Sequence, residues 1–212
     1  MTEPPAETAE TVRVELLGAV AYGALAAFGR LAADAHRAPD LAGRAEVASL
    51  AAAEIAHFER VRAHLAERGV EVGAAMAPFV PALDAFAERT TPRDWGEALV
   101  AASIGRTLAV DMVLAAGDDA GADSDLVRRP DTGGGFDAFA ERQVAVLAAD
   151  PRVHDRLALW GRRLLGETLA AAATVLDDHP GAASALLGAT TRPALFKVLK
   201  SRHAKRMQAF GL

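Results

Sequence analysis

Glu54 and His57 place a carboxylate and an imidazole one turn apart in the run "EIAHF", a spacing that sets both side chains on the same side of a helix. Projected at about 100° per residue, Val47, Leu50, Phe58, Val61 and Leu65 form an apolar stripe with Glu54 at its centre and His57 on its flank. Glu46, Glu59 and Arg62 fall elsewhere and read as solvated charges. An unpaired carboxylate inside such a stripe costs several kcal/mol or is neutralised. Glu54 therefore demands a metal ion, an arginine or a proton.

The same projection sorts the remaining charges. Leu157, Trp160, Leu164, Ala171 and Val175 make a second stripe, with Glu167 at its edge. In the segment before Gly117, which is apolar nearly all round, Asp111 shares a face with Val100, Ile104 and Leu108, whereas Arg106 lies with Trp95, Leu99, Val110 and Val113. Near the start of the chain Val14, Leu17, Ala21, Ala24, Leu25, Phe28 and Leu31 form the inward stripe; Glu15 is on the opposite side and no acid lies on the inward one. Glu54, His57, Glu167 and Asp111 are thus the candidate metal ligands, and Arg106 is the natural counter-ion if the acids are buried without a metal. Each also has an ordinary reading: a surface pair for Glu54 and His57, a side chain reaching solvent for Glu167 and Arg106, a structural acid for Asp111.

The elements that must position these residues are helical throughout, because alanine and leucine dominate and apolar residues recur at three- and four-residue spacing. The first helix is expected from Thr11 to Ala38 and the second from Asp40, as N-cap, to Gly69, as C-cap. A Pro-bounded crossover follows, with a short helix over Pro81 to Glu88, then a third helix from a Thr91-Pro92 start to Gly117. "DDAGADSDLVRRPDTGGG" reads as a mobile loop over 118–135, followed by a helix from Phe136 to Ala149, a fourth long helix from Pro151 to Asp178, and a last one after Pro193. The expected organisation is a flexible tail over 1–10 and one helical domain over 11–212.

Composition narrows the chemistry. The absence of cysteine in 212 residues removes disulfides, thiolate metal sites and thiol nucleophiles. A net charge of −5 argues against broad charge-driven binding to nucleic acid or anionic membrane. No basic start with an apolar core precedes the first helix, and no segment reads as an uninterrupted apolar span, so a cytoplasmic location is expected. Lys197, Lys200, Arg202, His203, Lys205 and Arg206 spread around the last helix instead of lining one side, as on a solvated helix end; His203 and Met207 read as the residues that dock it. His36, His64, His154 and His179 lie near helix ends or on polar faces. Tyr22 is the sole tyrosine, and Trp95 and Trp160 read as core aromatics.

Four long helices, a long crossover and an inward Glu-x-x-His look like the ferritin-like carboxylate architecture. The runs "LLGAVAYGALAAFGRLAADA", "MAPFVPALDAF", "RLALWGRRLLGETL" and "RHAKRMQAFGL" resemble the MiaE-type tRNA-hydroxylase-like proteins of the ferritin-like superfamily. The resemblance extends over nearly the whole chain from Val14. It implies an all-α, ferritin-like antiparallel helical bundle with additional short helices and a C-terminal helix, a di-iron centre, and hydroxylation of a modified adenosine of tRNA. It also implies carboxylates in all four long helices and a Glu-x-x-His in the second. Glu54, His57 and Glu167 match that pattern. Ala24, in "AYGAL", stands where a glutamate is expected, and Arg106, in "ASIGRTLAVD", where an aspartate is expected; Ala170, three residues after Glu167, leaves the second Glu-x-x-His incomplete.

Two functions stay open. One is an oxygen-using enzyme in which Glu54, His57, Glu167 and Asp111 hold one or two iron ions and a small organic substrate is hydroxylated. The other is a metal-free derivative, in which the Arg106 guanidinium bridges Glu54 and Glu167 and the core serves as a binding or acid/base site, or only as a structural element. In either case Glu54, His57 and Arg106 are the candidate catalytic residues. The tRNA substrate rests on the resemblance alone, and pairing into a homodimer is an expectation for a bundle of this size.

Overall fold

Asp40 and Asp150 each stand in extended backbone ahead of a helix and accept a hydrogen bond from its first turn, Asp40 from Gly43 N at 2.7 Å and Asp150 from Arg152 N at 2.8 Å. These caps satisfy amides that the helix itself cannot, and they fix the starts of α2 (Leu41–Glu67) and α8 (Pro151–Asp178). At the other end of α2 the C-cap is Arg68, with Gly69 next in left-handed backbone at φ 70°, a conformation that favours glycine. The computed structural model describes residues 6–115, 124–127, 135–187 and 190–212; the side chains of 6–9, 106–115, 124, 182, 185 and 186 lie outside the described set.

The first long helix, α1 (Ala6–Ala35), begins earlier and ends earlier than the sequence suggests. Residues 6–10, read from sequence as part of a flexible tail, are its first turns, and Glu10 pairs with Arg13 and with Arg68 of the α2 terminus. A short connection then returns the chain along α1 as α2, the most extensive helix pair among the described residues. Over Glu10–Ala35, α1 has the length and hydropathy of a membrane span, where no uninterrupted apolar span was expected from sequence. About a third of that span is buried, with Leu17, Ala21, Ala24 and Leu31 in the core.

The crossover contains α3 (Val72–Met76), a 3₁₀ turn (Ala77–Phe79) and α4 (Val80–Arg89), more helix than the expected Pro81 to Glu88. Phe79 is fully buried and lies 4.3 Å, ring to ring, from His179 at the end of α8. Tyr22 donates to the Asp84 carboxylate, joining α1 to α4; burial, then the bond to Asp84 and its charge, push the phenol up to about 12. The helix α5 (Trp95–Ala115) starts later than Thr91-Pro92. Asp94, not Thr91, supplies its cap, accepting from Glu97 N at 3.0 Å, while the Thr91 hydroxyl bonds back to Ala87 O on α4.

Within the stretch read as a loop over 118–135 lies α6 (Ser124–Val127), and α7 begins at Gly135 and ends at Leu147; the remainder of that loop reading falls outside the described residues. A short α9 (Pro180–Leu187), not expected from sequence, precedes α10 (Arg192–Ala209), which Thr191 caps. Leu195, Leu199, His203 and Met207 bury one face of α10 against α5 and α8, which leaves its lysines outward. His154 donates through Nε2 to Gly211 O at 3.1 Å and ties the end of α10 to the start of α8.

Two glycines mark where helices come closest. A methyl group on Gly18 would lie 2.2 Å from Ala75 O, a backbone atom of α3; on Gly161 it would meet Met207 Cε and Sδ at 2.4 Å, the end of a flexible side chain. Gly18→Ala is therefore expected to lower unfolding free energy by about 1–3 kcal/mol, and Gly161→Ala by clearly less, because methionine can move aside; urea unfolding of both variants measures the difference. His203, only 4 % exposed, has no hydrogen-bond partner on either ring nitrogen among the described residues, and burial, then Arg206, hold it below its ordinary 6.5. Below that pH the unfolded chain takes up a proton that the folded chain refuses, so this residue's contribution is intact above 6.5 and is lost as pH falls toward the lower folded value. Urea midpoints between pH 7 and 5 should fall more steeply for the wild-type chain than for His203→Leu.

Candidate functional site

On α2 the buried residues are Val47, Leu50, Ala51, Glu54, His57, Phe58, Val61 and Leu65, among others, so the helix-wheel stripe is the core face. Glu54 is 3 % exposed and His57 is fully buried. The His57 ring is oriented from outside α2: its Nε2 lies 2.7 Å from Leu126 O of α6. A carbonyl can only accept, so Nε2 carries the proton, and in the neutral ring Nδ1 keeps its lone pair. Nδ1 is itself buried.

Two of the expected acid positions are described around this pair, and neither brings a free carboxylate to it. Ala24, 1 % exposed, occupies the inward position of α1. Glu167 has a side chain 24 % exposed and accepts from Arg89 Nε of α4 at 2.5 Å; Arg163 reinforces that edge by donating to Arg89 O at 2.7 Å. The bridge from Glu54 to Glu167 through Arg106 thus meets a different arginine at its Glu167 end. Asp111 and Arg106 belong to the α5 backbone, and their side chains lie outside the described residues.

A second polar cluster sits at the foot of α5. Glu97, fully buried, accepts from Arg93 N at 2.8 Å and Arg93 Nη2 at 2.7 Å, and from Arg156 of α8 at 3.3 Å; the Trp160 indole donates to Glu97 O at 3.0 Å. Arg156 also pairs with Asp94. Burial acts to raise the Asp94 carboxyl, but the Glu97 amide, Arg156 and the Gly96 amide outweigh it and hold the group below its usual range. Sequence reasoning passed over Glu97, although the Asp94-x-x-Glu97 spacing is that of a capping box. It also passed over Asp34, 3 % exposed on α1, whose carboxyl burial raises despite the opposing pull of Arg37, 3.0 Å away, and of Arg30.

The family described as ferritin-like domain, actinomycetes, matches residues 7–189. The chain belongs to this ferritin-like family. No curated protein matches it.

Ferritin-like carboxylate centres draw one glutamate from each of two helices and a Glu-x-x-His from each of the other two. This ferritin-like domain offers Glu54 and His57, alanine at positions 24 and 170, and a Glu167 already held by Arg89. Among the described residues no three His, Asp or Glu side chains come together. The donors among the described residues, Glu54 and His57 with Glu167 engaged by Arg89, fall short of the set that a pair of iron ions takes. Because the Arg89 and Glu167 pair is half open to solvent, Glu167→Ala is expected to change stability by less than about 1 kcal/mol, and to leave iron content as it is in the wild type; chemical denaturation and metal analysis of the purified variant check both.

Proposed function

We propose that this is a ferritin-like domain related to the MiaE-type hydroxylases in which the two-metal centre has been remodelled, leaving Glu54 and His57 as a buried polar pair. The observation that carries this reading is the joint state of two positions: Ala24 packed into the core where an acid would stand, and Glu167 drawn to Arg89 at the bundle edge. What remains is a carboxylate and an imidazole in surroundings poor in water, a combination suited to gripping a small polar organic molecule or moving its proton. We assign the charge that Glu54 requires to Arg106, which the helix wheel places on an inward-capable face of α5. In this reading Glu54 and His57 touch the substrate and Arg106 balances the site.

A second reading keeps iron. Its support is the His57 ring, held by a backbone carbonyl in the way that metal-ligating histidines hold their other nitrogen. One ion bound by Glu54, His57 and Asp111 would supply Lewis-acid and oxygen chemistry at that point.

Metal analysis of protein expressed with added iron separates the readings. Remodelling is expected to give well under one iron per chain, unchanged by Glu54→Ala; one iron or two per chain, lost in Glu54→Ala, would overturn it. Arg106→Gln should lower the urea midpoint if Arg106 is the counter-charge of Glu54, because loss of a buried charge's partner costs about 3–5 kcal/mol, and an unchanged midpoint removes that assignment.

A further inference from the structure

The last helix is charged against the sign of the chain. α10 carries Arg192, Lys197, Lys200, Arg202, Lys205 and Arg206 and no aspartate or glutamate, in a chain of net charge −5. Taken over its whole length these cations spread around the helix, but its first half is uneven: at about 100° per residue, Arg192, Pro193, Phe196, Lys197 and Lys200 share one flank. In the structure those residues line a hollow of about 440 Å³, within the size range of small-molecule sites. Phe196 is half-buried and packs against the main core, so the aromatic wall of the hollow is held from behind.

The charges of this flank are unevenly met. Arg192 pairs with Asp177 of α8 at 2.5 Å. Lys197 and Lys200 are exposed and have no ion pair among the described residues. Two ammonium groups one turn apart repel each other, and the positive end of the helix dipole adds to that cost. The helix end itself is closed, because the Thr191 side chain accepts from Ala194 N; the feature that remains is the side-chain flank. We propose that this flank binds a small soluble phosphomonoester carried on a flat ring, with the ring against Phe196 and Pro193 and the phosphate between Lys197 and Lys200. A phosphomonoester brings a charge of about −1.5 to −2 near neutral pH, which matches two unpaired lysines, whereas a single carboxylate would answer only one. Phosphate oxygens also accept charge-assisted hydrogen bonds from ammonium groups. The site is separate from Glu54 and His57 and does not depend on whether they bind a metal.

Calorimetric titration of the full chain at about 0.15 M salt with naphthyl phosphate, naphthol and inorganic phosphate tests the assignment. Naphthyl phosphate is expected to bind once per chain, at least about tenfold tighter than naphthol or inorganic phosphate. Lys197→Gln and Lys200→Gln, both at exposed positions, should each weaken it about three- to fivefold. Lys205→Gln makes the same charge change outside the hollow and should alter affinity by less than about twofold. Phe196→Leu keeps the apolar bulk but removes the flat face, and should bring naphthyl phosphate down toward inorganic phosphate. Absence of naphthyl phosphate binding overturns the site, as does a loss in Lys205→Gln equal to that in Lys200→Gln, which would mean attraction by charge alone. Binding to vesicles containing phosphatidic acid, with none of the soluble phosphate, would place the anion on a lipid surface and overturn it too.

Discussion

Small residues on the inner faces of the long helices impose the constraint from which the rest follows. With Gly18, Ala21 and Ala24 turned inward on α1, neighbouring helices approach until backbone meets backbone and little space for water remains. Polar groups inside such packing must be satisfied by the protein itself, since an unmet buried group forfeits the hydration it had in the unfolded chain. Three buried polar side chains therefore become fixed points. Glu97 draws in Arg93 and Arg156, His57 takes a carbonyl from α6, and Asp34 takes Arg37.

The two polar centres differ in kind. At the foot of α5 one carboxylate is met by two guanidiniums and two helices are locked together, which is a structural arrangement closed on itself. On α2 the carboxylate and the imidazole come from the same helix and face a core where α1 offers alanine at position 24, while Glu167 is engaged by Arg89. The first centre secures the bundle. The second keeps chemistry that packing alone would not call for, and that contrast is why the functional reading centres on Glu54 and His57.

Much of this was legible in residue spacing. Helix periodicity, the Asp40 cap and the opening Pro151 located α2 and α8 to within a residue or two, and the wheel placed Glu54 and His57 in the core and Ala24 on the inward face of α1. Where the reading failed, a longer-range contact decided. The α5 start moved because Asp94 competes with Thr91 for the capping role. Glu167 could be placed at a stripe edge, but no periodicity reveals that Arg89, from a crossover far away in the chain, would claim it. The role of Leu126 was invisible for a similar reason: a backbone carbonyl has no side-chain signature, and its segment reads as a polar connection.

The foot of α5 has a further, optical consequence. Both tryptophans of the chain gather there, Trp95 at the first turn of α5 and Trp160 bonded through its indole to Glu97 O, while the one tyrosine sits against Asp84 at the α1 and α4 contact. Intrinsic emission therefore reports almost entirely on one end of the bundle, and the environment of Glu54 and His57 is dark to it. A fluorescence signal that stays native speaks for the arginine clasp alone, and the α2 core has to be watched by another light.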